Sequence, residues 1–198
     1  MTLRITQVDA FTHQPFHGNP AAVCVLPEPR SEAWMQDVAR EMNLSETAFL
    51  VRQPNGSGDP DSFNLRWFTP TVEVDLCGHA TLASAHALWE EGHLKPGEQA
   101  RFHTKSGLLT ADARDDWIEM NFPAKPEQPA PAPAHLAEAL GVEPKYTGRN
   151  QFDYLVEAES EDAVRGLRPD FALLKKVEAR GIMVTSRSDS PEFDFVSR

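Results

Sequence analysis

The sequence predicts an α+β protein in two parts, on three observations. Short apolar or alternating segments bounded by Gly and Pro recur through residues 1–124, around one long helix near 78–91 that is apolar or small on almost every face. An Ala/Pro-rich stretch at 125–133, with Pro126, Pro129, Pro131 and Pro133, then interrupts the chain and is read as a linker that cannot continue a ladder. Over 134–198 the order strand, helix, strand returns, without a residue-level repeat.

The elements follow in order. Leu3, Ile5, Gln7 and Asp9 alternate with Arg4, Thr6 and Val8, predicting a strand, and a Pro/Gly loop from His13 to Pro20 closes it. Ala22–Leu26 is a short apolar strand stopped by Pro27 and Pro29. Ser31 can cap a helix running to Met42, with Trp34, Val38 and Met42 at helical spacing. Thr47–Val51 and Phe63–Phe68 read as strands on either side of a Gly/Pro/Asp loop from Gln53 to Ser62. After the long helix come strands at Ala100–His103, Leu108–Asp112 and Trp117–Phe122, the last two joined by a hairpin at Arg114-Asp115-Asp116. Beyond the linker, Ala134–Leu140 is a short helix ending at Gly141. Tyr154–Val156 and Ile182–Thr185 are strands, and Ala163–Gly166 and Asp170–Lys175 short helices.

Composition narrows the function. The 198 residues carry 30 acidic and 19 basic side chains, a formal net charge of −11, without a Lys/Arg cluster, so nucleic acid and anionic membrane are not expected partners. The N-terminus enters a strand directly, no apolar run approaches membrane-spanning length, and only Cys24 and Cys77 are present. These features predict a soluble cytoplasmic protein without a disulfide framework. Gly56-Ser57-Gly58 lacks the third glycine of a nucleotide fingerprint.

The segment Asp75-Leu76-Cys77-Gly78-His79-Ala80-Thr81 carries the most chemistry. It sets a thiol and an imidazole at the first turn of the long helix, where backbone N–H groups lack partners and the helix dipole is positive. With Gly78 removing bulk, a carboxylate or phosphate can approach the backbone, and Cys77 in that field is expected to have a lowered pKa. The bland alternative is a buried small-residue helix start with Cys77 as a small hydrophobe. On these residues alone the two readings stand level.

Five segments in order and spacing then carry a resemblance: Val8-Asp9-Ala10-Phe11, Gly18–Val23, Asn43-Leu44-Ser45-Glu46-Thr47-Ala48-Phe49, Arg66-Trp67-Phe68-Thr69-Pro70 and Glu73–Thr81. Together the chain resembles the phenazine-biosynthesis (PhzF-like) isomerase family, whose fold is that of diaminopimelate epimerase. The resemblance implies two similar halves, each a mixed β-barrel around a central helix, with the active site in the cleft between them and the helix at 78–91 as the first central helix. It implies that Glu46 is the general acid/base, that Gly78 and His79 contact a substrate carboxylate, and that Asn19 and Ser45 line the same cleft. His79 is assigned to binding rather than proton transfer. It further implies a cofactor-independent reaction on a small anionic metabolite and a homodimer.

In related diaminopimelate epimerases and proline racemases a cysteine at the Cys77 position is one of two catalytic thiols. No second cysteine follows the linker here, so Cys77 is expected to be an inert helix-start residue, with an accessory acid or reactive thiol as the minority reading. His13, His17, His86, His93, His103 and His135 have no metal-ligand spacing, and no metal is expected. The family's Asp-Pro-Val-Thr-Gly-Ser-type segment is absent and the hydrophobic pattern is still running at Phe193–Val196. The second half is therefore expected to be truncated, and the chain alone poorly stable or inactive. Two competing functions remain at this point: a catalytically silent scaffold of the same fold, and a thiol-based epimerase.

Overall fold

A computed structural model describes residues 2–54 and 61–198. The glycines at 56 and 58 and most of the loop containing them lie outside the described residues. The chain forms two compact units, Met1–Phe122 and Pro123–Arg198.

In the first unit, β1 (Thr6–Ala10) pairs antiparallel with β2 (Asn19–Leu26), and β2 pairs parallel with β3 (Glu46–Arg52). A parallel pair needs a crossover. Here α1 (Glu32–Met42) supplies it, opened by the Ser31 hydroxyl accepting from the Trp34 N–H and closed at Asn43 in the left-handed region. β4 (Ser62–Phe68) runs antiparallel to β3, and the two-residue β5 (Glu73–Val74) pairs with β4. After α2 (Gly78–Glu90), β6 (Ala100–Thr104) joins β4 in parallel, and β7 (Gly107–Arg114) and β8 (Trp117–Asn121) complete the order β1-β2-β3-β4-β6-β7-β8.

The sheet curls, because α2 packs against β1, β2 and β3 near one end of that order and against β8 at the other. Side-chain alternation explains the near-continuous apolar strands. Ala21, Val23, Ala48, Leu50, Leu65 and Trp67 join the core around α2, while Cys24, Leu26, Phe49 and Phe68 face the opposite way into a core shared with Met35 and Ala39 of α1. Small residues on α2, including Ala80, Ala83, Ala85 and Ala87, let strands approach closely. Its buried hydroxyls are satisfied within the helix: Thr81 donates to the Cys77 carbonyl at 2.5 Å and Ser84 to that of Ala80 at 2.6 Å.

The resembling segment Arg66–Pro70 serves this framework. The Arg66 guanidinium grips both oxygens of Glu73 at 2.7 Å, tying β4 to β5, and reaches Glu32 at 2.9 Å. Gly18 has a structural cause too. Its φ is +77°, and a Cβ there would stand 2.2 Å from the Ala10 carbonyl oxygen, so the turn into β2 needs glycine.

The second unit has a five-stranded sheet in the order β13 (Phe195–Ser197), β12 (Gly181–Arg187), β11 (Asp153–Glu157), β10 (Tyr146–Arg149), β9 (Gln128–Pro129). Its helices α3 (Leu136–Leu140), α4 (Glu161–Gly166) and α5 (Phe171–Leu174) are short, and Leu136, Leu140, Val156, Val164, Leu167 and Val184 form its core. One expectation is corrected here. Part of the Pro-rich stretch does join a ladder, with Gln128 and Pro129 opposite Arg149 and Gly148. The strand is at the sheet edge, where the N–H that proline lacks is not needed by a further neighbour. Among the described residues no helix is long and apolar enough to cross a membrane.

Candidate active site

Parallel pairing of β2 and β3 brings their first residues to one end of the sheet, with Ala21 opposite Glu46. Asn19 opens β2, Ser45 directly precedes β3, and Glu46 is its first residue. The N-terminus of α2 meets the same end. Its first intrahelical hydrogen bond runs from the Thr81 N–H to the Cys77 carbonyl at 3.3 Å, so the N–H groups of Gly78, His79 and Ala80 lie ahead of the ladder.

The His79 ring joins these elements. Its Nε2 is 3.2 Å from Ser45 Oγ and 3.4 Å from Glu46 Oε2, and its Nδ1 is 3.4 Å from Cys77 Sγ. Ser45 Oγ in turn donates to Asn19 Oδ1 at 3.4 Å. One arrangement of protons satisfies this chain: Nε2–H donates to Ser45, Ser45 O–H to Asn19, and the Cys77 S–H to Nδ1. His79 is 8% exposed and Cys77 8%, while the Glu46 side chain keeps 19% of its surface open. Of Glu46, His79 and Cys77, the carboxylate is thus the side chain most open to a solute, beside the exposed Ser45 and Asn19.

Gly78 has no internal reason to be glycine. Its φ lies outside the left-handed region, and among the described residues nothing beyond its chain neighbours and its own helix comes within 4 Å of where a Cβ would stand. Open space beside N–H groups that lie ahead of the helix's own ladder is what a bound anion requires.

The expectation of a lowered pKa at Cys77 is corrected. Its thiol is pushed up to about 12, because burial removes water from the thiolate; the Ala80 and His79 N–H groups pull the other way, and the Glu46 carboxylate adds to the rise. Cys77 caps the helix by position but makes no side-chain capping hydrogen bond, so the helix terminus acts on it too weakly to offset desolvation. A second feature was invisible to residue spacing: one ligand-type atom each from Glu46, Cys77 and His79 lie within 4.8 Å of one another. Cys77 and His79 are adjacent on one turn, but Glu46 joins them only through the strand register. Two cavities of the first unit, of about 510 and 430 Å3, lie elsewhere: one beside β1 and the C-terminal half of α2, the other beside Met35 of α1.

The family model for phenazine biosynthesis-like proteins matches residues 8–198. The chain belongs to the phenazine biosynthesis-like family. An uncharacterized isomerase of Halalkalibacterium halodurans is 56% identical over 199 residues, covering 100% of this chain and 73% of the relative. A crystal structure of a PhzF-family phenazine biosynthesis protein from Enterococcus faecalis is 38% identical, with a TM-score of 0.87, over 100% of this chain and 73% of that one. A probable proline racemase from Agrobacterium radiobacter, at 14% identity and a TM-score of 0.56, covers 99% of this chain and 69% of its own and shares the fold alone. The likeness to PhzF and racemase structures bears out the epimerase-like fold class, and the family assignment matches the one the five sequence segments imply. Three of the five sequence segments thus meet in one group, Asn19, Ser45, Glu46, Gly78 and His79 together with Cys77.

Proposed function

We propose that this chain is an isomerase of the phenazine biosynthesis-like family that moves a proton between carbons of a small carboxylate-bearing metabolite, with Glu46 as general acid/base. The observation that carries this reading is the Glu46 carboxylate held 3.4 Å from a buried histidine at the open N-terminus of α2. Relatives named as isomerases support the reaction class.

The substrate carboxylate docks at the N–H groups of Gly78 and His79, where the helix terminus favours negative charge. Glu46 takes a proton from a carbon adjacent to an activating group, and the electron pair of that C–H bond moves into the conjugated system. The developing charge is stabilised by the fixed N–H dipoles and by His79, electrostatic work that needs no cofactor. Glu46, now protonated, returns the proton to a different carbon, and the carboxylate is regenerated. Ser45 and Asn19 hold the imidazole so that it binds rather than exchanges the proton. Cys77, a buried thiol, takes no part in the transfer, which disfavours a thiol epimerase.

The test is incorporation of deuterium from D2O into a panel of small unsaturated and amino carboxylic acids. The proposal expects carbon-bound deuterium with the full-length wild-type protein and with its Cys77→Ala variant. Loss confined to Cys77→Ala would transfer the reaction to the thiol, and no exchange with any acid would favour the silent scaffold.

A further inference from the structure

The groups around His79 are also a ligand set. The Cys77 and Glu46 atoms that face the imidazole come from two different elements, and with one ring nitrogen they lie within 4.8 Å of one another. Sulfur and Nδ1 are 3.4 Å apart. Two ligands on a tetrahedral zinc, at about 2.3 Å for sulfur and about 2.0 Å for nitrogen, stand about 3.5 Å apart, so one edge of the tetrahedron is already built. The third ligand, Glu46 Oε2, stands 3.4 Å from the other ring nitrogen, Nε2, so its side chain has to turn toward Nδ1 to complete the set. Ser45 Oγ holds the ring through Nε2, the outer-shell contact that keeps a metal-binding imidazole oriented. A thiolate, an imidazole and one carboxylate suit zinc and exclude magnesium or calcium, which take oxygen ligands.

We propose that Glu46, Cys77 and His79 bind one zinc ion, with a fourth position open to water or a small carboxylate, and that the bound ion withdraws Glu46 from proton transfer. On binding, the Cys77 S–H bond breaks, the sulfur's electron pair forms the Zn–S bond and the proton leaves to solvent; no electron is transferred. Binding is independent of the isomerase reading. The inhibition rests on that reading, since it takes away the group assigned to the proton.

The experiment is titration of the metal-free chain with Co2+, followed by displacement with Zn2+ against a chromogenic chelator. The expected result is one ion per chain, a sulfur-to-cobalt charge-transfer band, and its loss on adding zinc. Cys77→Ala and His79→Gln, each checked for native circular dichroism, lose the band, and Cys77→Ala lowers zinc affinity by more than about 100-fold. Ser45→Ala lowers it about 10-fold or more. Cys24→Ala, on the opposite face of β2, retains both. A chain without the band, or one whose band and zinc affinity survive in Cys77→Ala, overturns the site. A zinc-saturated chain that still exchanges deuterium overturns the inhibition. Absence of exchange in the metal-free chain counts against the isomerase reading alone, because the cobalt band decides the metal site without activity.

Discussion

Alkylation of Cys77 separates a buried thiol from a catalytic thiolate. The folded value of about 12 stands three pH units above the ordinary 9.0. Each unit is about 1.4 kcal/mol, so the thiolate is disfavoured by about 4 kcal/mol and is about a thousandfold scarcer at neutral pH than on a free cysteine. In the metal-free chain, reaction with a small neutral alkylating reagent is therefore expected to be at least that much slower than with an exposed thiol. Its rate should keep rising about tenfold per pH unit beyond pH 9, where an ordinary thiol reaches its plateau. Peptide mass spectrometry distinguishes Cys77 from Cys24, whose thiol burial also raises. Glu46→Gln removes a negative charge that faces the sulfur and should speed the reaction. The same shift is a stability term. A pKa raised on folding contributes stability that is complete below pH 9 and is lost as pH climbs toward 12, and Cys77→Ala should flatten that alkaline decline. Rapid alkylation of Cys77 at neutral pH with a plateau below pH 9, in a chain still folded by circular dichroism, would refute the reasoning.

Three further outcomes follow from the packing. Gly78→Ala should leave the melting temperature unchanged or raise it, since a Cβ meets nothing of the chain, while deuterium exchange falls more than about tenfold because the methyl covers the anion's approach. Leu88→Ala, which empties a fully buried position on α2, should cost about 2–5 kcal/mol by urea denaturation. Glu73 is held below the ordinary carboxylate range, chiefly by the Arg66 hydrogen bonds and helped by Lys105, against its own burial. Its stabilisation is present above pH 4.5 and fades as pH falls through the lower folded value, so Glu73→Gln should be less stable at pH 7 and lose less on acidification.

Much of the first unit was legible because both faces of its strands are covered. Ala22–Leu26 and Thr47–Val51 read as strands for that reason, and Ser31 marked the start of α1. Their true starts, Asn19 and Glu46, were hidden because polar residues at a strand opening look like loop. Those same residues reach the site. The short strands Glu73–Val74, Gln128–Pro129 and Tyr146–Arg149 were missed because their partners specify them, not their own periodicity. At the site, the resemblance singled out Asn19, Ser45, Glu46, Gly78 and His79. The meeting of Glu46 with Cys77 was not readable, since it depends on the β2–β3 register and on where α2 docks. The pKa of Cys77 departs from the sequence expectation for a related reason: the helix terminus is visible in sequence, but the burial that outweighs it is not.

The most direct test of the account is the deuterium exchange rate of Glu46→Gln on the acid that the wild-type chain turns over, measured beside the affinity of both proteins for that acid. A general acid/base at Glu46 predicts a loss of about 100- to 10,000-fold in exchange with binding nearly unchanged, because Gly78, His79 and the helix terminus remain in place. Exchange within a few fold of wild type in Glu46→Gln would contradict it and remove the carboxylate from the reaction.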